Sequence, residues 1–361
     1  MLGTRPEAIK LAPVIRCLED QLTENGERCT VINTGQHPGL AEDMLQVFDL
    51  TSDIILDVFT HGQGLSALSS RLIEQIATVF EASGCYDLVI VQGDTTSALM
   101  GAIGAFYAMI PVAHVEAGLR TSTLDTPFPE EMNRRLISRI ARWHFAPTTG
   151  AVKALRSEGI LHGVYATGNT VVDAQRWVDH KYLSNVTQKE NSILCTMHRR
   201  ENWGAGIESV CCALVELLKI KPAVEIRFIL HPNPAVANHI RERLNGYKQI
   251  ELIPPLGYVE FQRALKECAF VISDSGGVVE EAPTFGKQVL ITRDETERTE
   301  AVECGCAYLV GTDSQKILEK VLDLLASRNR QVLYSQNPFG DGKAAERICR
   351  VLLGTEECEI A

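Results

Sequence analysis

Asp94 closes the apolar run DLVIVQGD, Glu116 closes PVAHVEAG, and the pair Glu130 and Glu131 follows in TPFPEEMNRR, where Pro129 suits a helix start. Carboxylates delivered at the ends of buried strands can take or return a proton at a bound substrate. Each also has a structural use, Asp94 as a helix cap and Glu116 as a bridge to Arg120. A second set is of another kind. His198 and Arg199 stand in TMHRREN, and SDSGG turns from an apolar run into a helical one. Ser275 is expected to cap that helix, while Gly276 and Gly277 let backbone N–H groups approach an anion closely. Glu281, about one and a half turns on, can accept hydrogen bonds from a ribose diol. Glu280 and Glu281 are equally suited to favouring the helix start. Arg298 in RDETERTEAV, and Arg5 and Lys10 in GTRPEAIK, are cations for a phosphate or ordinary solvated charges. Acids on one side, with histidine, arginine and bare amides on the other, suit acid–base work on a nucleotide-activated substrate.

These residues need a scaffold that ends many strands on one side. Short β-branched runs supply it: TVINTG, DLVIVQGD, PVAHVEAG, WHFAPT and VYATGN, each followed by a turn and a helical pattern such as TTSALMGAIGAFYAM. After about residue 190 the alternation restarts with SILCTMHR, EIRFILHP, IELIPP, AFVISDSGG, QVLITRDE and AYLVGTD. Strands alternating with helices predict a parallel sheet covered on both faces. Two such series predict an α/β protein of two doubly wound, Rossmann-like domains, residues 1–168 and 169–342, with an interdomain cleft. Residues 176–192 read as a helix end and linker. Ligands in such sheets bind beyond the carboxyl ends of the strands, where the residues above cluster. At the start, GTRPEAIK reads as a strand-ending loop that opens a helix, with only Met1 and Leu2 before it. Most of an expected first strand is absent. The expectations are a truncated or misassigned start and a weakened first sheet.

Length and charge bound the rest. A chain of 361 residues suits two domains, and 45% apolar with 22% charged residues is ordinary for a globular protein. The formal charge of −11 offers no basic stripe for nucleic acid. There is no run long enough to span a bilayer and no signal-like N-terminus, so no membrane partner and a cytoplasmic location are expected. The eleven cysteines are scattered, as Cys85, Cys195, Cys211, Cys212 and the Cys304-Gly-Cys306 pair illustrate, and are read as buried reduced thiols without a metal.

Taken in order, GTRPEAIKLAPVI, TGQH, GDTTSAL, HVEAGLRT, PFPEEMNR, FAPT, GNTVVDA, HRREN, DSGGVVEEAP, RDETERTEAV and NPFGDGKAAERI cover nearly the whole chain. Together they resemble the non-hydrolysing UDP-N-acetylglucosamine 2-epimerases, which have a glycosyltransferase-B-like fold. The resemblance implies reversible epimerisation of UDP-N-acetylglucosamine to UDP-N-acetylmannosamine, with no cofactor, through elimination of UDP to 2-acetamidoglucal and re-addition. It implies acid–base roles for Asp94, Glu116 and Glu130, and places His198 and Arg5 beside the departing diphosphate. Lys10, Ser275, Gly276, Gly277 and Arg298 would hold phosphates, Glu281 the ribose, and Leu256 and Phe261 the uracil. Gln36, Arg199 and His231 match a second, allosteric nucleotide-sugar pocket, which Gly39 and Gly62 depart from. A helix over 343–361 would pack back on the first domain, and a homodimer is the family expectation. The alternatives are a 2-epimerase of a modified sugar, such as a 3-acetamido or uronic acid form, and a hydrolysing relative that releases N-acetylmannosamine and UDP. A binding protein without catalysis would have no use for three carboxylates, and a glycosyltransferase is suggested by fold alone.

Overall fold

The computed structural model describes residues 1–23, 26–83, 86–327 and 337–354. Contacts divide the chain into two units, Met1–Trp177 with Phe339–Ala361, and Val178–Pro338.

The first unit contains α1 (Arg5–Leu22), β1 (Ile32–Asn33), α2 (Leu40–Val47), β2 (Ile54–Ile55), α3 (Leu65–Ser83), β3 (Val89–Gln92), α4 (Thr96–Tyr107), β4 (Val112–Val115), α5 (Glu130–Ile140), β5 (Trp143–Ala146), α6 (Thr149–Ser157) and β6 (Val164–Ala166). β3, β4, β5 and β6 form a parallel sheet in that order, and β1 pairs with β2 in a separate two-stranded one. Leu2 makes an isolated parallel bridge to Asn33, and the Met1 amino group donates to the Ile90 carbonyl at 2.9 Å. The strands are apolar on both faces because helices cover both. Leu72 and Ile76 of α3 and Ala102 of α4 meet Val91 of β3 in the core. α1 opens at Thr4 with Pro6 in its first turn, as a missing N–H is harmless there.

α7 (Thr170–Tyr182) carries the division between the units at 177/178, not at the expected 168/169. The first half of α7 belongs to the first unit for physical reasons. Val171, Val172 and Ala174 are buried, and the Trp177 ring packs on that of Phe48 at 5.2 Å with the planes tilted by 41°. Asp173 accepts hydrogen bonds from the N–H groups of Ala344 and Ala345 and so caps α14 (Ala344–Leu352). α14 packs on α1, with the Cys349 Sγ 3.8 Å from the Val14 carbonyl. The helix expected over 343–361 ends sooner. Gly354 adopts the left-handed backbone that terminates helices, and residues 355–361 lie outside the described residues.

The second unit contains β7 (Ser192–Thr196), α8 (Ala205–Ile220), β8 (Glu225–Ile229), α9 (Pro234–Leu244), β9 (Ile250–Ile253), α10 (Tyr258–Glu267), β10 (Phe270–Ser273), α11 (Gly276–Glu281), β11 (Val289–Ile291), α12 (Thr299–Glu303), β12 (Ala307–Leu309) and α13 (Ser314–Ala326). Its six parallel strands run β12-β11-β10-β7-β8-β9. The order steps outward from β7 and β10 in opposite directions, so the switch point of a doubly wound sheet lies between them. Ile193, Phe228, Phe270 and Ile272 fill the core around those strands.

Among the described residues, no helix is long and apolar enough to cross a membrane. The described thiols are free, but not all are buried. Cys212 and Cys304 are exposed, correcting the reading of uniform burial. In α8 the helical period turns Cys211 into the core and its neighbour Cys212 outward. Cys85 lies outside the described residues.

Candidate active site

In the first unit the expected carboxylates stand at successive strand ends. Glu116 follows β4 with φ of 64°, a left-handed conformation uncommon without glycine. Such a backbone costs about 1–3 kcal/mol and persists only where the surroundings over-determine it. They do so here. Lys10 and Gln92 both donate short hydrogen bonds to the Glu116 carboxylate, and Asn169 Nδ2 donates a third at 3.2 Å. Lys10, expected at a phosphate, is therefore held by Glu116 in this structure. Glu116 does not bridge to Arg120, which instead makes a bidentate pair with Glu158. Nor does Asp94 cap α4; Thr95 does, accepting from the Ala98 N–H at 3.0 Å.

Asp94 follows β3, with Arg134 Nη1 3.6 Å from its carboxylate. Burial pushes the Asp94 carboxyl up to about 6, against the pull of Arg134 and with help from the charges of Glu116 and Glu130. A group poised there can hold or release a proton near neutral pH. The adjacent glutamates of α5 divide their labour. Glu131 is fully buried and structural, receiving the Thr121 N–H at 3.1 Å and Arg135 Nε at 2.7 Å, with Arg134 at 3.2 Å. Glu130 differs: its buried Oε2 has no hydrogen-bond partner among the described residues. Arg5, in the first turn of α1, is part-exposed.

Two supports in this unit escaped sequence reading. Glu7 is buried and accepts from the Gly3 N–H at 3.0 Å and from Thr95 Oγ1 at 2.7 Å, tying the start of α1 to that of α4. Burial raises its carboxyl above the usual carboxylate range. His114 is buried on β4, with Nε2 2.7 Å from the Gly93 carbonyl. Burial lowers its imidazole to about 3, so it is neutral and donates that bond, fixing the turn that carries Asp94.

In the second unit the site forms at the switch point, after β7 and β10. Asp274 is completely buried and was not singled out from sequence. It accepts from the N–H groups of His198 at 2.8 Å and Arg199 at 3.0 Å, and from Asn202 Nδ2 at 2.8 Å. This carboxylate sets the backbone that presents His198, whose Nε2 also meets Thr196 Oγ1. Ser275 stands at the N-cap of α11, but its hydroxyl makes no cap bond, contrary to expectation. The Ser273 hydroxyl accepts from the Ser275 N–H instead. The glycines have different reasons. A Cβ on Gly276 would come within 2.9 Å of the Arg298 guanidinium, whereas one on Gly277 meets only Ser275 Oγ at 3.9 Å. Arg298 thus lies over the turn, and buried Glu280 holds it there through Nε at 2.9 Å and Nη2 at 2.8 Å. That answers for one glutamate of the pair: Glu280 orients a cation. The other, Glu281, accepts from buried Gln262 Nε2 at 2.7 Å. Leu256, after β9, and Phe261, on α10, are half-buried.

The residues matched to a second pocket have structural partners. Gln36 accepts from the Ser97 N–H and hydroxyl at the start of α4. Arg199 lies 3.5 Å from Glu201. His231 accepts from the Asn233 N–H and packs edge-on against Trp203 at 5.3 Å. Gly39 and Gly62 both have left-handed backbones with open space at the Cβ position.

Residues 20–353 match the family described as UDP-N-acetylglucosamine 2-epimerase. The UDP-N-acetylglucosamine 2-epimerase of Yersinia pestis is 39% identical over 98% of this chain and 97% of its own. The crystal structure of UDP-GlcNAc 2-epimerase from Neisseria meningitidis bound to UDP-GlcNAc superposes with a TM-score of 0.86, at 37% identity and 98% coverage of each chain. That of the Methanocaldococcus jannaschii enzyme in complex with UDP-GlcNAc and UDP gives 0.80, at 33% identity and 98% coverage of each. The fold is accordingly α/β with parallel sheets in two domains, of the glycosyltransferase-B-like kind. With the motifs, the strand-end carboxylates and these likenesses in agreement, the chain belongs to the non-hydrolysing UDP-N-acetylglucosamine 2-epimerase family and is an epimerase, an isomerase.

Proposed function

We propose that this epimerase interconverts UDP-N-acetylglucosamine and UDP-N-acetylmannosamine by elimination and re-addition of UDP. The observation that supports this reading is the carboxylate group of the first unit. Burial pushes the Asp94 carboxyl up to about 6, and the charges of Glu116 and Glu130 around it add to the rise. The hydrogen on carbon 2 is not acidic enough for direct removal. If the bond from carbon 1 to the diphosphate oxygen breaks as the carbon 2 proton leaves, the electrons of the C–H bond form the C1–C2 double bond of 2-acetamidoglucal. Re-addition returns a proton to the opposite face of carbon 2 and the diphosphate oxygen to carbon 1. Two faces need more than one acid–base group, which three carboxylates provide. The route is redox-neutral and needs no nicotinamide.

In this reading the second unit binds UDP. The Gly276 and Gly277 amides and Arg298 meet phosphate oxygens, Glu281 takes the ribose hydroxyls, and Leu256 and Phe261 flank uracil. His198 and Arg5 favour departure of the diphosphate as an anion. Lys10 positions Glu116. The test is a proton spectrum of the protein with UDP-N-acetylglucosamine in heavy water. The expected result is the epimer with deuterium at carbon 2. Epimer that keeps its original hydrogen overturns the mechanism, and accumulation of free N-acetylmannosamine with UDP assigns the chain to hydrolysis instead.

A further inference from the structure

Cys304-Gly-Cys306 joins α12 to β12 at the amino end of that strand. His198 and Ser275 follow the carboxyl ends of strands in the same parallel sheet, so the two cysteines lie at its other side. Cys304 keeps helical backbone after α12, and Gly305 turns the chain back with φ of 74°. Glycine suits that left-handed position, which lets the cysteines on either side of it face each other. The Cys304 S–H has two acceptors, the Cys306 sulfur at 2.9 Å and the Ala301 carbonyl at 3.4 Å. Neighbouring strands hold the turn in this shape. Gln288 Nε2 donates to the Gly305 carbonyl and to the Tyr308 hydroxyl, each at 3.1 Å. The Val289 N–H donates to the Cys306 carbonyl at 3.0 Å.

The two thiols differ in access. Cys304 is exposed, whereas Cys306 is completely buried. Burial, with the hydrogen bond from Cys304, raises the Cys306 thiol above its ordinary range. A reagent from solution therefore meets Cys304 first, and Cys306 meets only what Cys304 has become. A disulfide bond is about 2.0 Å long, so the sulfurs need to approach by only ~1 Å. A bridge over a single intervening residue closes too small a loop to stabilise the fold much. Small strained bridges at the surface are also readily reduced again. The arrangement suits reversible exchange better than stapling.

We infer that Cys304 and Cys306 form a dithiol–disulfide exchange site whose substrate is a small-molecule disulfide. The Cys304 thiolate attacks one sulfur of the substrate, forming a mixed disulfide and releasing the other half as a thiolate, which takes a proton from solvent. Cys306 then attacks the Cys304 sulfur. The bond from Cys304 to the substrate sulfur breaks, and the second half leaves with the proton that Cys306 gives up. The protein loses two electrons and two protons, and the disulfide becomes two thiols. Excess small thiol runs both steps backwards.

The test exposes the native full chain to oxidised glutathione, quenches it in acid, alkylates the remaining thiols in denaturant and maps the cysteines by mass spectrometry. The expected product is a peptide two hydrogens lighter in which Cys304 and Cys306 both escape alkylation, and dithiothreitol should restore them. Cys306→Ser and Cys306→Ala remove the second nucleophile, so glutathione should stay on Cys304 as a mixed disulfide. Cys304→Ser should lose the internal disulfide and leave Cys306 fully alkylated. Cys212 gives the comparison within one chain, since it is exposed on α8 while Cys211 beside it is buried. Glutathione that reaches Cys212 should remain there, and glutathione that reaches Cys304 should be expelled. Should a Cys306 variant fail to fold, the parent chain decides alone. Glutathione retained on Cys304 in the parent overturns the proposal. So does full alkylation of both cysteines after oxidation, or a bridge from either of them to a different cysteine.

Discussion

Glu116 in the first unit is bonded by Lys10, Gln92 and Asn169, and Asp94 beside it shares Arg134 with Glu131. In the second unit Asp274 holds the His198–Arg199 backbone, Glu280 holds Arg298, and Gln262 meets Glu281. The first arrangement is a group of like charges set close together and partly neutralised by cations. Its product is proton affinity: burial does most to raise the Asp94 carboxyl, and the charges of Glu116 and Glu130 add to it. The second is a row of separate pairs in which a buried group fixes the position of a more accessible one. Its product is geometry. The difference matches the two tasks of the proposed reaction, moving a proton in one unit and gripping an anion in the other.

The comparison is broken most sharply by removing a charge from the first unit. Glu116→Gln is expected to lower turnover by roughly 10²–10⁴, the usual weight of a positioned acid or base, while UDP affinity measured by calorimetry stays the same. Loss of UDP binding in this variant would erase the division of tasks. Next in size is Asp274→Ala, which leaves three donors near His198 without their shared acceptor. Unfolding free energy should fall by about 2–4 kcal/mol, read from denaturant titration, and UDP affinity should fall with it. An unchanged denaturation midpoint would show that Asp274 is not the hub.

Smaller effects sharpen the second unit. Glu281→Gln should weaken UDP about tenfold, as a charged acceptor gives way to a neutral one, yet barely affect 2′,3′-dideoxy-UDP. Equal weakening of both nucleotides removes the ribose assignment. Ser275→Ala should cost only about 1 kcal/mol of UDP affinity and leave Tm unchanged, because its hydroxyl makes no cap bond.

The smallest expected change is a displacement along the pH axis in the first unit. The folded-state pKa of Asp94 lies above the ordinary carboxylate value, so its folded form binds the proton more tightly than the unfolded chain does. The stabilisation this provides is present below the unfolded pKa and is lost as pH rises through about 6. Asp94→Asn should therefore melt higher than the parent at pH 7 to ~8, with the advantage vanishing near pH ~4. Removing the opposing cation with Arg134→Gln should move the Asp94 limb of the kcat/KM profile to higher pH. Movement to lower pH would contradict the cause assigned here.

Much of this was legible in the order of residues. Apolar runs ending in Asp94, Glu116 and Ser273-Asp274 placed the chemistry at strand ends, since buried parallel strands show as continuous β-branched segments. The glutamate pairs were not legible. Glu130 and Glu131 both have arginine within one helical turn, at Arg134 and Arg135, so spacing alone cannot say which is structural. Glu280 resembled a helix-start charge until the fold brought Arg298 over Gly276. Asp274 carried no local signal, because its partners lie 72 to 76 residues earlier in the chain.

What the sequence by itself determined is the alternation of strands and helices, the family, and the side of each sheet on which function falls. Those follow from periodicity and short motifs, which are local. Only the tertiary structure decided that Lys10 belongs to Glu116, that Glu131 and Glu280 are supports, that Ser275 does not cap, and that α7 spans the unit boundary. The Lys10–Glu116 pair spans 106 residues and the Glu280–Arg298 pair 18. A buried charge or backbone group must find a partner, and which partner it finds depends on what the folded chain brings within reach.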